Sequence, residues 1–453
     1  MGSNASCRGD SASRLAMPDL VQHIQKIRTE GEKTPVIVAF CFSDELPLKA
    51  CLAGCQAAGA VPVIMATFNQ VNTEGGYSGL TAGEFVRRVR RLAEEAGYDG
   101  PVVFGRDHGG PFIIEAHKQY SRQAEMQWVK KNITCDLEAG FTCWHADGTS
   151  GRDDELAGGK LPVEEIADTT LDMIRFCESE RKRLGIGPIA YEVGSEEQQG
   201  GLTAPESFER YLQLMDQGMQ GAGLEEAGID FIVAQTGTRM KLYYESARRQ
   251  FELIQDGFKP GQVEILDRIA AKYRSLRHTL LFTQHYSDHI SPADAAALRR
   301  FGAGKVNFGP EMTMPELKQL LDWDKMEREA LQKSGRKSEA AGFRAVLLEH
   351  LDRRPDFWQK FMPADPDVSG SSGNPSIFDL SPDVQDALLV FRGRYVKSQH
   401  RCREAAQKLL ENAAALGIDP DPETAIIEAI KARIILPRLE QFHMTGLRYT
   451  LSA

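Results

Sequence analysis

The sequence predicts an α/β protein: a (β/α)8 TIM barrel with a C-terminal α-helical appendage. Three observations lead there. Eight short runs rich in β-branched and aromatic residues recur between positions 36 and 308. Amphipathic helical patterns separate them. Each run also ends in a polar or ionisable residue. Continuous apolar runs suit strands buried on both faces, as in parallel sheets. Strand–helix alternation repeated eight times favours a closed barrel over an open sheet.

The predicted strands are 36–41, 61–67, 101–105, 141–146, 189–193, 230–235, 279–285 and 305–308. Between them, 82–96 places Phe85, Val89 and Leu92 at helical spacing. A second helix over 163–184 aligns Ile166, Met173, Ile174 and Cys177. Beyond residue 320 the strand signal stops. Helical patterns follow over 323–337, 340–353, 382–416 and 422–442. A loop carrying Pro363, Pro366, Gly370, Gly373 and Pro375 interrupts them. The expected organisation is a flexible tail (1–20), a barrel (21–320) and a helical appendage (321–453).

Composition excludes several classes. A net charge of −10 over 453 residues argues against nucleic acid as partner, since neutralising phosphates needs clustered Lys and Arg. No apolar run reaches the length of a membrane helix, and the first 20 residues lack the apolar core of a secretory signal. A cytoplasmic protein is expected. Of the eight cysteines, only Cys51 and Cys55 lie close together, without partners at zinc-site spacing. Cys41, Cys143 and Cys177 sit in apolar stretches and read as buried small hydrophobes.

The strand ends carry the chemistry, because active sites of this fold lie at the C-terminal face. Asp107-His108, Glu192 and His285 end the third, fifth and seventh strands and converge on one mouth. Two imidazoles and a carboxylate suit a divalent metal, Zn²⁺ first, then Mn²⁺, Ni²⁺ or Co²⁺. Gln235 could add an amide oxygen, and Asp147 could orient a ligand imidazole. His289 and His145 are rival ligands. The loop Asn69-Gln70-Val71-Asn72-Thr73-Glu74-Gly75-Gly76-Tyr77 offers amides for sugar hydroxyls and glycines for close backbone approach. No Walker pattern or dinucleotide fingerprint opens a helix after any strand, so no nucleotide cofactor is expected.

Asn69-Gln70-Val71-Asn72 with Gly75-Gly76-Tyr77, then Asp107-His108-Gly109, resembles the Z-subunit family of D-tagatose-1,6-bisphosphate aldolase. The likeness continues through Tyr191-Glu192-Val193, Gln235-Thr236-Gly237, His285-Tyr286-Ser287-Asp288 and Asn307-Phe308-Gly309-Pro310. It reaches the appendage at Pro355-Asp356-Phe357-Trp358. The resemblance implies a class II aldolase-like barrel and metal-dependent aldol chemistry on ketohexoses or their phosphates. Asp107 would be the general acid/base, and His108, Glu192 and His285 the ligands. Gln235 stands where a third ligand histidine would be. Asn69, Gln70, Asn72, Gly76, Tyr77 and Asn307 would bind substrate. C4 epimerisation between tagatose and fructose needs a second acid, assigned to Asp147, with Glu74 the runner-up. The alternative role is an accessory subunit stabilising a separate catalytic aldolase chain; a homo-oligomer is expected in either case. A kinase role also circulates for the family, but the phosphate-cradling loop is absent. By the resemblance, Asp288, Pro310 and Glu311 stand where a C1 phosphate would be cradled, which predicts that a C1-phosphorylated ketose binds worse than the C1-free sugar, while a 6-phosphate is tolerated. Lys305 opens its strand and is expected at the far end of the barrel.

Overall fold

The computed structural model describes residues 15–31, 34–156, 160–195, 202–224, 227–233, 236–237, 239–245, 250–256, 258–275, 278–359 and 376–451. Eight parallel strands close into a barrel: β1 (Ile37–Phe40), β2 (Val63–Thr67), β3 (Val103–Gly109), β4 (Cys143–Ala146), β5 (Ala190–Gly194), β6 (Ile229–Val233), β9 (Leu281–Gln284) and β10 (Lys305–Phe308). Between β6 and the next helix lies an antiparallel pair, β7 (Arg239–Glu245) and β8 (Gln250–Asp256), paired from Arg239–Asp256 to Glu245–Gln250. The sequence reading missed this hairpin. Its two strands, RMKLYYE and QFELIQD, mix charged and amide residues among the apolar ones and lack the continuous apolar run used to find barrel strands.

The barrel strands are buried almost throughout because helices cover their outer faces. Helix Ala82–Glu95 turns Phe85, Val86, Val89 and Leu92 inward, and Thr81 and Glu84 form a capping box at its start. Helix Val163–Leu184 ends at Gly185 in the left-handed conformation, as a C-cap glycine should. At the opposite end from the strand termini, helix Met17–Glu30 closes the barrel floor. It buries Met17, Leu20, Val21 and Ile24, and Arg28 donates to Pro35 O and Ala303 O. The expected tail therefore gives way to structure at Met17, where Pro18 supplies a helix start.

The expected boundary at 320/321 falls inside one continuous helix, Pro310–Lys333. The C-terminal helices pack along the barrel wall. Phe442 O accepts the Val36 N–H, Arg438 pairs with Glu311 at 2.7 Å, and Lys397 bridges Asp44 and Glu316. The expected 382–416 helix is interrupted. It runs as Pro382–Arg392, Arg394–Lys397 and His400–Ala415, broken at Gly393 and at Ser398–Gln399. The Pro/Gly loop around 363–375 lies outside the described residues. Among the described residues seven cysteines are free thiols, six of them buried. No helix among the described residues is long and apolar enough to cross a membrane.

Candidate metal centre at the barrel mouth

Neighbours in a regular strand point to opposite faces, so Asp107 and His108 should not both face the mouth. A β-bulge resolves this. Arg106 pairs with Trp144 and Gly109 with Ala146, leaving one extra residue on β3. His108 takes a left-handed φ of 47° within it. Both side chains then reach the same cavity. Arg106, fully buried, anchors the bulge from behind: Nε and Nη2 grip Asp136 at 2.8 and 2.6 Å. Nη1 donates to Ala66 O and Val71 O.

Asp107, His108, His145 and His285 converge, with one ligating atom from each lying within 4.8 Å of the others. The imidazole centroids are 5.0 Å apart for His108–His145, 4.9 Å for His108–His285 and 5.4 Å for His145–His285. Zn–N bonds of about 2.1 Å put a ring centroid about 3.2 Å from the ion, so tetrahedral directions space centroids by about 5.2 Å. Edge-to-face packing of rings alone reaches similar spacing, so charge must decide. The buried groups here are three carboxylates (Asp107, Asp147, Glu192) and one ammonium (Lys305). A divalent cation offsets that excess, as protons on the imidazoles also do; burial opposes a charge on His108, but Asp107 and Asp147 raise its pKa. His145 Nδ1 accepts the His108 backbone N–H at 3.2 Å, and its Nε2 is buried with no partner among the described residues, so the ring is left to be completed by something further and ligates a metal only when one nitrogen gives up that role. The donor set therefore fits a divalent metal, with His108, His145 and His285 as imidazole donors and Asp107 beside them.

His108 Nδ1 donates to Asp147 Oδ2 at 2.7 Å, which leaves Nε2 for a metal. Asp147 also accepts from Thr149 N and Oγ1. Burial works against its charge, but His108 and Thr149 hold its carboxyl far below the usual range. This corrects the expectation for Asp147 as the second proton donor: fully committed and ionised, it orients His108. Glu74, the runner-up, is exposed and accepts from Trp128 Nε1 at 3.1 Å, away from the cluster.

Glu192 stands outside the four-residue cluster, another correction. Its Oε1 accepts from His285 Nε2 at 3.0 Å and its Oε2 meets Lys305 Nζ at 2.6 Å. Burial raises its carboxyl, but Lys305 and the imidazoles hold it at about 2. Lys305 reaches the centre although it opens β10, because its long chain runs up the barrel interior, where residues of alternate strands share layers. Its Nζ donates to Asn307 Oδ1 at 2.9 Å, and Asn307 Nδ2 donates to Asp107 Oδ1 at 3.1 Å. Burial opposes ionisation of Asp107 too, yet His108, His145, His285 and Lys305 keep its pKa well below normal. Lys305 and His145 are the residues sequence reasoning undervalued. The signal for His145 was its two-residue spacing from Asp147. Gln235 lies outside the described residues. His289 is exposed and takes no part in the cluster.

The amide loop is reassigned as well. Gln70 accepts from Thr67 N and donates to Cys41 O; Asn72 donates to Phe68 O and accepts from Glu74 N and Gly76 N. These two amides brace the loop, and what they have left is one N–H and one lone pair on Gln70 and one N–H on Asn72. Gly76 sits at φ 55°, where a Cβ would lie 2.5 Å from Gln70 O, so its role is close backbone approach within the loop. Asn69 Nδ2 makes one long contact, 3.4 Å to Ile113 O. Tyr77 packs edge-on against Tyr395 of the C-terminal helices.

Fold and site define a TIM-barrel protein with an imidazole–carboxylate centre at the C-terminal ends of its strands. Residues 20–422 match the model of the D-tagatose-1,6-bisphosphate aldolase subunit GatZ/KbaZ-like family, and the chain belongs to that family. Curated relatives include the D-tagatose-1,6-bisphosphate aldolase subunit GatZ of Escherichia coli and of Shigella flexneri. Each is 22% identical over 397 residues, spanning 84% of this chain and 86% of its own. Among solved structures, a protein from Sinorhizobium meliloti 1021 described as a probable tagatose 6 phosphate kinase shares the fold. It has a TM-score of 0.65 and 20% identity, covering 92% of this chain and 98% of that one.

Proposed function

We propose that this protein performs metal-dependent aldol and retro-aldol chemistry on ketohexoses, as C4 epimerisation between D-tagatose and D-fructose or their 6-phosphates. The convergence of Asp107 with three imidazoles at the barrel mouth carries the reading. A divalent cation held by His108, His145 and His285, Zn²⁺ first among the choices, supplies Lewis-acid polarisation of the ketose carbonyl. Asp107, kept ionised, accepts the C4 hydroxyl proton as the C3–C4 bond breaks, giving an aldehyde and an enediolate. Asn307 fixes the Asp107 carboxylate by donating to Oδ1. Readdition to the other face of the rotated aldehyde inverts C4, and the proton taken by Asp107 returns to the new C4 alkoxide, directly or through water. Lys305 and Glu192 hold His285 and Asn307 in place from below.

Incubation of the pure protein with D-tagatose, D-fructose and their 6-phosphates, with divalent metal and with EDTA, tests this. Interconversion that EDTA abolishes is expected; neither interconversion nor cleavage of any sugar sinks it. A second reading, a subunit stabilising a catalytic aldolase chain, is favoured by the word "subunit" in the relatives' description. It predicts an inert chain that raises the stability of a co-purifying aldolase by binding its folded form.

A further inference from the structure

Two buried guanidiniums stand where the C-terminal helices meet the barrel mouth. Arg392 ends helix Pro382–Arg392 and Arg394 opens the next turn. Between them Gly393 packs so closely that a Cβ would lie 2.5 Å from Leu389 O. Arg392 is 4% exposed and Arg394 9%. Both donate to the same phenol oxygen, Tyr395 Oη, at 3.1 and 3.0 Å. Phe357 stacks on the Tyr395 ring at 4.6 Å and Tyr77 meets it edge-on at 5.1 Å, so the phenol is held in place.

A neutral hydroxyl is a poor match for the positive charge of Arg394. Arg394 has no carboxylate in ion-pair range among the described residues, and its Nε is buried without a hydrogen-bond partner. Leaving a guanidinium in that condition is strongly unfavourable unless something fills the gap. Asp288 acts on Arg394 electrostatically, but its Oδ1 accepts the Gly309 and Glu311 N–H groups. Glu311 is itself paired with Arg438. The two acids expected to repel a C1 phosphate thus both have partners of their own.

Arg394 Nη1 lies 3.2 Å from where a Cβ on Gly309 would stand. Gly309 is two residues beyond Asn307, the partner of Asp107, which is ~7 Å along a strand. The guanidinium therefore sits within the length of an open-chain sugar from Asp107. We propose that Arg394, with Arg392 beside it, binds a terminal oxyanion, phosphate or carboxylate, carried by the sugar substrate. A guanidinium fork matches either oxyanion with paired N–H donors. The inference deepens the ketose reading and rests on it only for the sugar portion.

Isothermal titration and thermal unfolding of the full chain test it without turnover, so an inactive protein that binds phosphate separates the two ideas. Inorganic phosphate should raise Tm above chloride at equal ionic strength. Arg394→Met should weaken D-fructose 6-phosphate at least tenfold and leave D-fructose unchanged. Without anion its Tm should hold or rise, because an unpaired buried charge has gone. A D-glucuronate arm separates the sources: tighter phosphate sugar marks a phosphate ester, tighter glucuronate a sugar acid. Unchanged fructose 6-phosphate binding by Arg394→Met overturns the proposal, as does a lower Tm with affinity intact. Should that variant not fold, wild-type protein that gains no Tm from phosphate, fructose 6-phosphate or glucuronate overturns it equally.

Discussion

Replacing Glu316 by Gln should stabilise the protein at alkaline pH and leave it nearly unchanged in mild acid. Lys397 Nζ, on the C-terminal helices, bridges Glu316 of helix Pro310–Lys333 and, at 2.9 Å, Asp44 after β1. The Glu316 side chain is 4% exposed and the Asp44 side chain 5%, so two buried carboxylates share one ammonium. Burial, with Asp44 adding to it against the pull of Lys397, lifts Glu316 from 4.5 to about 7. That rise corresponds to about 3 kcal/mol disfavouring the ionised form. A carboxyl raised in the native state holds its proton more tightly there than when unfolded. Its contribution to stability is therefore full below pH 4.5 and lost as pH climbs through 7. The glutamine side chain does not titrate. The stability difference, Glu316→Gln minus wild type, should grow by about 2–3 kcal/mol between about pH 5 and pH 8. Urea unfolding of both proteins across that range reads it, and titrating groups that do not touch Glu316 cancel in the difference. A flat difference, or one that shrinks as pH rises, refutes the shared-ammonium account.

Three further outcomes follow from the centre. His108→Ala, His145→Ala and His285→Ala should each lower bound metal measured by elemental analysis, while His289→Ala keeps it; a metal-replete His145→Ala removes His145 from the donor set. Asp147→Ala should weaken metal binding roughly 10- to 100-fold by releasing the His108 ring, with the pH profile of turnover unchanged at saturating metal; a profile that loses one limb restores Asp147 as a proton donor. Asp136→Asn should cost about 3–5 kcal/mol in urea unfolding, since it strands the buried Arg106 guanidinium; a cost below about 1 kcal/mol means solvent or a new partner relieves it.

Eight strands, their order along the chain and the polar residues at their ends were legible in the sequence, because continuous apolar runs and helical periodicity are local patterns that burial on a closed sheet imposes. Asp107, His108, His285 and Asn307 were found the same way, as residues ending strands that must share a mouth. The sequence could not show what depends on pairs distant along the chain. A bulge on β3 turns Asp107 and His108 to one side, and only pairing with β4 creates it. Lys305, written off as the wrong end of its strand, reaches Glu192 because the interior layers of the barrel stack. That Gln70 and Asn72 also brace backbone groups of other segments and of their own loop shows only once the loop closes. Arg394, far along the chain from His108, was invisible as part of the mouth until the C-terminal helices folded back over it. Local sequence determines which faces must be buried; the closed barrel and the helices laid across it decide which charged groups meet, because Coulomb and hydrogen-bond energies depend on distance in space, not along the chain.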